Sequence, residues 1–179
     1  LCLPLLLPAQ NTEGIRAERI GKDQAQQELV EISVSKFEDA AYWGTSMPLD
    51  LGIVQLRRFE GAPQEKTPIP GEVQSKIAED DRYVLGGKVQ FFHRNSGSAA
   101  VFPVKPIPIE GVTKTVSVWV VGRNFNHTLK LIVADYFNQR REITMGKLNF
   151  VGWKQMTAAV PPNIVQDEFH FASHRGLKV

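Results

Sequence analysis

His170 and His174 stand four residues apart, the spacing that would put both imidazoles on one helical face for a metal ion. The surrounding DEFHFASHRG alternates apolar residues and carries a terminal glycine, which argues against that helix and against a metal site. Paired carboxylates occur as Glu38-Asp39, Glu79-Asp80-Asp81 and Asp167-Glu168. All sit in polar, loop-like stretches, where neighbouring acids are solvated surface and no general acid–base pair can be assigned. There is no glycine-rich phosphate loop, no GxSxG elbow and no HExxH. Cys2 is the only cysteine of the 179 residues, so these residues form no disulfide among themselves and no four-cysteine zinc site. The expectation is a chain with no catalytic residues and no cofactor.

Aromatic and basic residues point instead to binding. Trp43, Trp119, Trp153, Phe91, Phe92, Phe125, Tyr136, Phe137 and Phe150 could supply a sugar-stacking platform. For Trp119 and Trp153 the simpler reading is packing between two sheets. Phe125, Tyr136 and Phe137 fall at expected hairpin turns, where burial is harder. Bases concentrate in and around expected strands, at Arg57, Arg58, Lys88, Arg94, Arg123, Lys130, Arg140 and Arg141. A stripe of them on one sheet face would dock on an acidic surface and make binding salt-sensitive. The candidate interaction surface is therefore Arg57, Arg58, Arg94, Arg123, Phe125, Tyr136, Phe137, Arg140 and Arg141. A formal net charge of +2 is too weak a surplus for nucleic acid.

The elements that must position these residues are strands. With 22% charged and 42% hydrophobic residues the composition is that of an ordinary soluble domain, and the length suits one core. Residues 1–9 read as the end of a secretory signal peptide cleaved after Ala9, with a short buried strand or a lipid anchor at Cys2 as the other readings. Nothing after them approaches the roughly 20 apolar residues that span a bilayer, so no membrane is expected. Residues 10–27 form a polar lead-in, and 28–179 a single β-sandwich domain. Strands are expected at Val30 to Phe37, Ile53 to Phe59, Tyr83 to His93, Val112 to Val121, Leu129 to Ala134, Arg140 to Met145 and Gln155 to Val160. Gly86-Gly87 marks a bulge or a close backbone approach. The proline-punctuated loop at 60–82 is either functional or disordered. Regular short strands with few helical signals give an all-β, antiparallel sandwich, with a jelly roll, similar to galactose-binding and carbohydrate-binding modules, as the preferred form.

Four stretches carry a resemblance: Val89 to Phe92, Pro106 to Gly111, Val118-Trp119-Val120-Val121-Gly122-Arg123-Asn124, and Met145 to Trp153. Together they resemble the FlaA family of the spirochaete periplasmic flagellar sheath, over most of residues 28–165. The resemblance implies export to the periplasm and packing, in many copies, on core flagellin with other coat proteins. It implies an effect on filament shape and stiffness, and no catalysis. Flagellin glycans are a further partner to consider. Trp119, Gly122, Asn124, Gly146, Leu148, Phe150, Gly152 and Trp153 would be structural motif residues. Asn138 stands where a turn glycine would be natural, and asparagine tolerates positive φ. The family continues past the position of Val179, so the last strands are expected to be absent from this chain or supplied by a partner. The alternative is a non-catalytic carbohydrate-binding module for peptidoglycan or an exported polysaccharide. It requires Trp43, Phe125, Tyr136 and Phe137 to lie exposed on one concave face.

Overall fold

Alternating residues such as Val116, Val118 and Val120 against Ser117 and Trp119 force one sheet face inward and leave the other wet, and the structure is built from that repeat. A computed structural model describes residues 30–74, 81–94, 97–167 and 176–179. The chain divides into two units, Leu1–Ile32 and Ser33–Val179. Of the first only residues 30–32 are described, with Val30 and Ile32 exposed.

The second unit is all-β and antiparallel, with a 3-10 turn at Ala40–Tyr42 and a five-residue helix at Pro70–Gln74 as its described helical turns. Among the described residues ten strands form four hydrogen-bonded sheets. β1 (Trp43–Ser46) pairs β4 (Ala100–Pro103), and β2 (Gly52–Glu60) pairs β3 (Tyr83–Phe91) residue for residue. β6 (Thr115–Arg123) pairs β9 (Val151–Ala159) without a register shift. The fourth ladder runs β5 (Pro108–Glu110), β10 (Gly176–Lys178), β7 (Thr128–Ala134), β8 (Arg140–Lys147). The all-β antiparallel class expected from the sequence holds. The ladders are hydrogen-bonded separately, so pairing does not spell out the winding of a jelly roll.

The core lies between the β6/β9 and β7/β8 pairs. Val133 and Ile143 are almost fully buried, and Met145, Met156, Ile164 and Leu177 complete the cluster. Val116, Val118, Val120, Leu129, Leu131 and Ala158 pack against it from the same faces. Each fully buried side chain of the cluster contributes roughly 1.5–3 kcal/mol, and the half-buried ones less. The chain crosses between the two pairs twice, through Asn124–His127 and Leu148–Phe150. These crossings are tied by their backbones: the Asn124 N–H donates to the Phe150 carbonyl at 2.7 Å, and the Leu148 N–H to that of His127 at 2.8 Å. Asn124 takes φ 58°, a left-handed conformation that asparagine accepts. Beside them β8 carries one extra residue opposite Leu129 and Lys130, a bulge that Gly146 permits at φ 135°.

Several expectations change. Val30 to Phe37 makes no ladder among the described residues, and its apolar residues Val30, Ile32 and Val34 are exposed while Ser33 and Ser35 are half-buried. Conversely FEDAAYWGTSMP, read as a loop, contains β1, whose partner β4 lies more than fifty residues away and is invisible to local pattern. Val112–Lys114 precede β6 rather than belong to it, and Gln166 holds Thr113 there through both its side-chain amide groups, at 2.7 and 2.9 Å. β9 begins four residues earlier than expected, so Gly152 and Trp153 are strand residues. Gly86-Gly87 is not a bulge, because the β2/β3 register is unbroken; it is a close approach, with the Phe59 ring lying on Gly86. The described parts of the 60–82 loop are tethered at the neck. Gly61 donates to the Arg82 carbonyl at 2.9 Å, Lys66 pairs with Asp81, and Pro63 is buried.

Candidate interaction surface

Ladder register divides the candidate residues among three places. On β2, Arg57 and Arg58 are neighbours and so point to opposite faces. Arg58, though exposed, shares the face of Val54 and Leu56, and its guanidinium lies 4.1 Å over the Tyr83 ring. Arg57 faces outward, across from Gly86, with Lys88 diagonal to it on β3. Arg94 is exposed in the bend after β3.

The second place is the double crossing. Phe125, 59% exposed, stands 6.0 Å from His127, and His127 stacks on Phe91 at 5.6 Å. Arg123 ends β6 beside this group. The stack of Phe91 on His127 was not legible in the sequence, because it joins the end of β3 to the connector between β6 and β7.

The third place is the β7–β8 hairpin, at the other end of β7 and about 20 Å from the crossing by strand length. Here the Tyr136 and Phe137 rings meet edge to face at 5.3 Å, with Phe137 exposed. Arg141 is not a free surface base. Its Nε donates to Asp135 Oδ2 at 2.9 Å and its Nη2 to Gln139 Oε1 at 2.8 Å. Asp135 is buried, and its Oδ1 also accepts from the Phe137 N–H at 3.0 Å and the Gln139 N–H at 2.8 Å. Burial by itself would raise this carboxyl's pKa. The hydrogen bonds from Arg141 and the Gln139 and Phe137 amides, with the Arg141 charge, outweigh it and hold the group below its ordinary value. Asn138 sits at φ 58° in the same turn, as its residue type allows. Lys130 is likewise engaged, 2.9 Å from Glu142, and Arg140 stays exposed.

The aromatic platform is not assembled. Trp43 is half-buried and stacks on Phe37 at 4.6 Å, in the wall of an open hollow of about 380 Å³. Phe125 and the Tyr136–Phe137 pair are at opposite ends of β7. Trp119 and Trp153 are half-buried on the outward face of the β6/β9 ladder, opposite the face that carries Val118 and Met156, and so are not part of the core cluster. Phe150 does pack against it, and its ring also lies over the buried Gly122. Leu148 also packs there. His170, His174, Glu79, Asp80 and Glu168 lie outside the described residues, as does the expected signal segment. Among the described residues no group of three His, Cys, Asp or Glu is placed to hold a metal, and no helix is long and apolar enough to cross a membrane.

The residues of the double crossing, Val118 to Asn124 with Met145 to Trp153, fall inside a stretch, 11–172, that matches the family model of the flagellar filament outer layer protein. The chain belongs to the FlaA family. It is 35% identical over 157 residues to a flagellar filament outer layer-like protein of Brachyspira hyodysenteriae, which covers 88% of this chain and 69% of that protein. It is also 44% identical over 46 residues to the flagellar filament outer layer protein of Spirochaeta aurantia, covering 26% of this chain and 14% of that one. No solved structure matches. Within the family assignment, the double crossing is the part of the fold where the motif residues Gly122, Asn124, Gly146, Leu148 and Phe150 each have a visible backbone or packing task.

Proposed function

We propose that this FlaA-family chain is a structural, non-enzymatic component of the periplasmic flagellar filament sheath. It is exported to the periplasm, packs laterally on core flagellin among other coat proteins, and biases filament shape and stiffness. The observation that carries this reading is the family match over residues 11–172, supported by two relatives whose names place them in a filament outer layer. Many weak copies on a lattice hold firmly through multivalency even where each contact is poor. The carbohydrate-binding alternative loses support, because the four aromatics it needs do not share a face.

The test is co-sedimentation of the purified chain with coat-stripped periplasmic filaments, with peptidoglycan sacculi in a parallel tube. Saturable pelleting with filaments alone is the expected result. Pelleting with sacculi, competed by soluble glycan, would replace the sheath reading with the polysaccharide one. A Phe137→Ala variant is expected to keep its stability within about 0.5 kcal/mol, since the ring is exposed and the turn is held by Asp135. Thermal melting checks this.

A further inference from the structure

The β2/β3 ladder has two unlike faces. Inward are Val54, Leu56 and Leu85, all half-buried, with Val89 and Phe91 exposed toward one end and Arg58 lying over the Tyr83 ring. Outward are Ile53, Gln55, Arg57, Phe59, Lys88 and Gln90, all exposed, with Val84 half-buried opposite Phe59. No carboxylate stands on this outward face, since Glu60 falls in register with the inward residues. Neither Arg57 nor Lys88 has an ion-pair or hydrogen-bond partner among the described residues, whereas Lys66, Lys130 and Arg141 are all paired.

From this we infer that the outward face of the β2/β3 ladder is a docking surface for an acidic protein surface. Charge complementarity selects the partner. Two adjacent uncompensated cations repel each other, and an opposing carboxylate pair relieves that repulsion. Phe59, stacked over Gly86, and Ile53 give the face apolar contact area at either end, and Gln55 and Gln90 supply amides that both donate and accept. The inference deepens the sheath reading and rests on it for where the acidic partner lies, though not for the partner's chemistry.

The experiment compares the native chain with an Arg57→Glu/Lys88→Glu variant on immobilised poly-L-glutamate, on coat-stripped filaments and on peptidoglycan sacculi. A Lys105→Glu/Lys114→Glu variant, which changes net charge equally at exposed positions elsewhere, is the control. Melting curves establish that all three are folded. Native retention on poly-L-glutamate that the first variant weakens about tenfold or more, and the control does not, is the expected result. The same loss on filaments, with a shallower salt dependence, assigns the face to the filament. Equal weakening by both variants, or no native retention at all, overturns the inference. Native binding to sacculi that only the first variant loses also overturns it, in favour of an acidic polysaccharide. If the native chain is retained on poly-L-glutamate but does not pellet with filaments, it is the sheath reading that fails, and the docking face stands.

Discussion

Asp135→Ala is expected to lower the unfolding free energy by about 2–3 kcal/mol, more than a surface aspartate would. The carboxylate is itself buried and accepts three hydrogen bonds within a largely exposed turn. Alanine leaves the amides of Phe137 and Gln139 without their acceptor, and frees Arg141 from its place on β8. Asp135→Asn separates these contributions, because an amide oxygen still accepts from both backbone groups and only the pairing with Arg141 is lost. Its cost is expected to be about half as large. The same carboxylate gives the fold an acid limit. Its folded pKa lies below the unfolded value, so the unfolded state binds the proton more readily. The stabilisation is therefore fully present above about pH 4 and is lost as pH falls through the folded pKa. Chemical denaturation at several pH values should show the native chain losing this margin on acidification and Asp135→Ala losing none from this source. Equal acid slopes for the two chains would remove Asp135 from the account.

Gly122→Ala is expected to cost about 2–3 kcal/mol, although it adds one methyl group. Gly122 is buried on β6, opposite Gly152 on β9. A Cβ there would fall within 2.6 Å of the Phe150 ring and closer still to the Phe150 carbonyl oxygen. That carbonyl accepts from Asn124, so it cannot retreat without opening the crossing. Combining Gly122→Ala with Phe150→Ala tests the assignment. The ring clash is then relieved but the backbone clash is not, so the two losses should combine to less than their sum without returning to the native value. Strict additivity in urea denaturation would show that the ring is not the obstacle.

The strands that form the core were legible because each half-buried face repeats every second residue, as in Val116, Val118 and Val120. The same pattern misled at Val30 to Phe37, since alternation reports a capacity for pairing and not the presence of a neighbour. It missed Trp43–Ser46, which is too short to repeat and is made a strand by Ala100–Pro103. For the candidate interaction surface the sequence offers residue types, and their grouping comes only from the structure. Arg57-Arg58 looks like a basic doublet, yet the two-residue period already places its members on opposite faces. What only the ladder register reveals is that Arg57 belongs with Lys88. The engagement of Arg141 was partly readable, since an aspartate opening a turn commonly caps the amides that follow it. Its burial was not, because the segment around Val165 that covers the turn comes thirty residues later and donates nothing to local pattern.

The double crossing also sets an order of assembly. The β7–β8 hairpin closes over a five-residue turn, so it is the cheapest long-range structure in this region and forms on the microsecond scale of hairpins. Thr115 and Ala159, by contrast, are forty-four residues apart, and closing that loop in an unfolded chain is slow. Once the hairpin exists, the connectors Asn124–His127 and Leu148–Phe150 leave the ends of β6 and β9 only a few residues from one another. The outer pair then zips from Arg123 and Val151 toward Thr115 and Ala159, with the hairpin as its template. Destabilising the turn at Asp135 should consequently slow folding, whereas damage near Ala158 should chiefly speed unfolding.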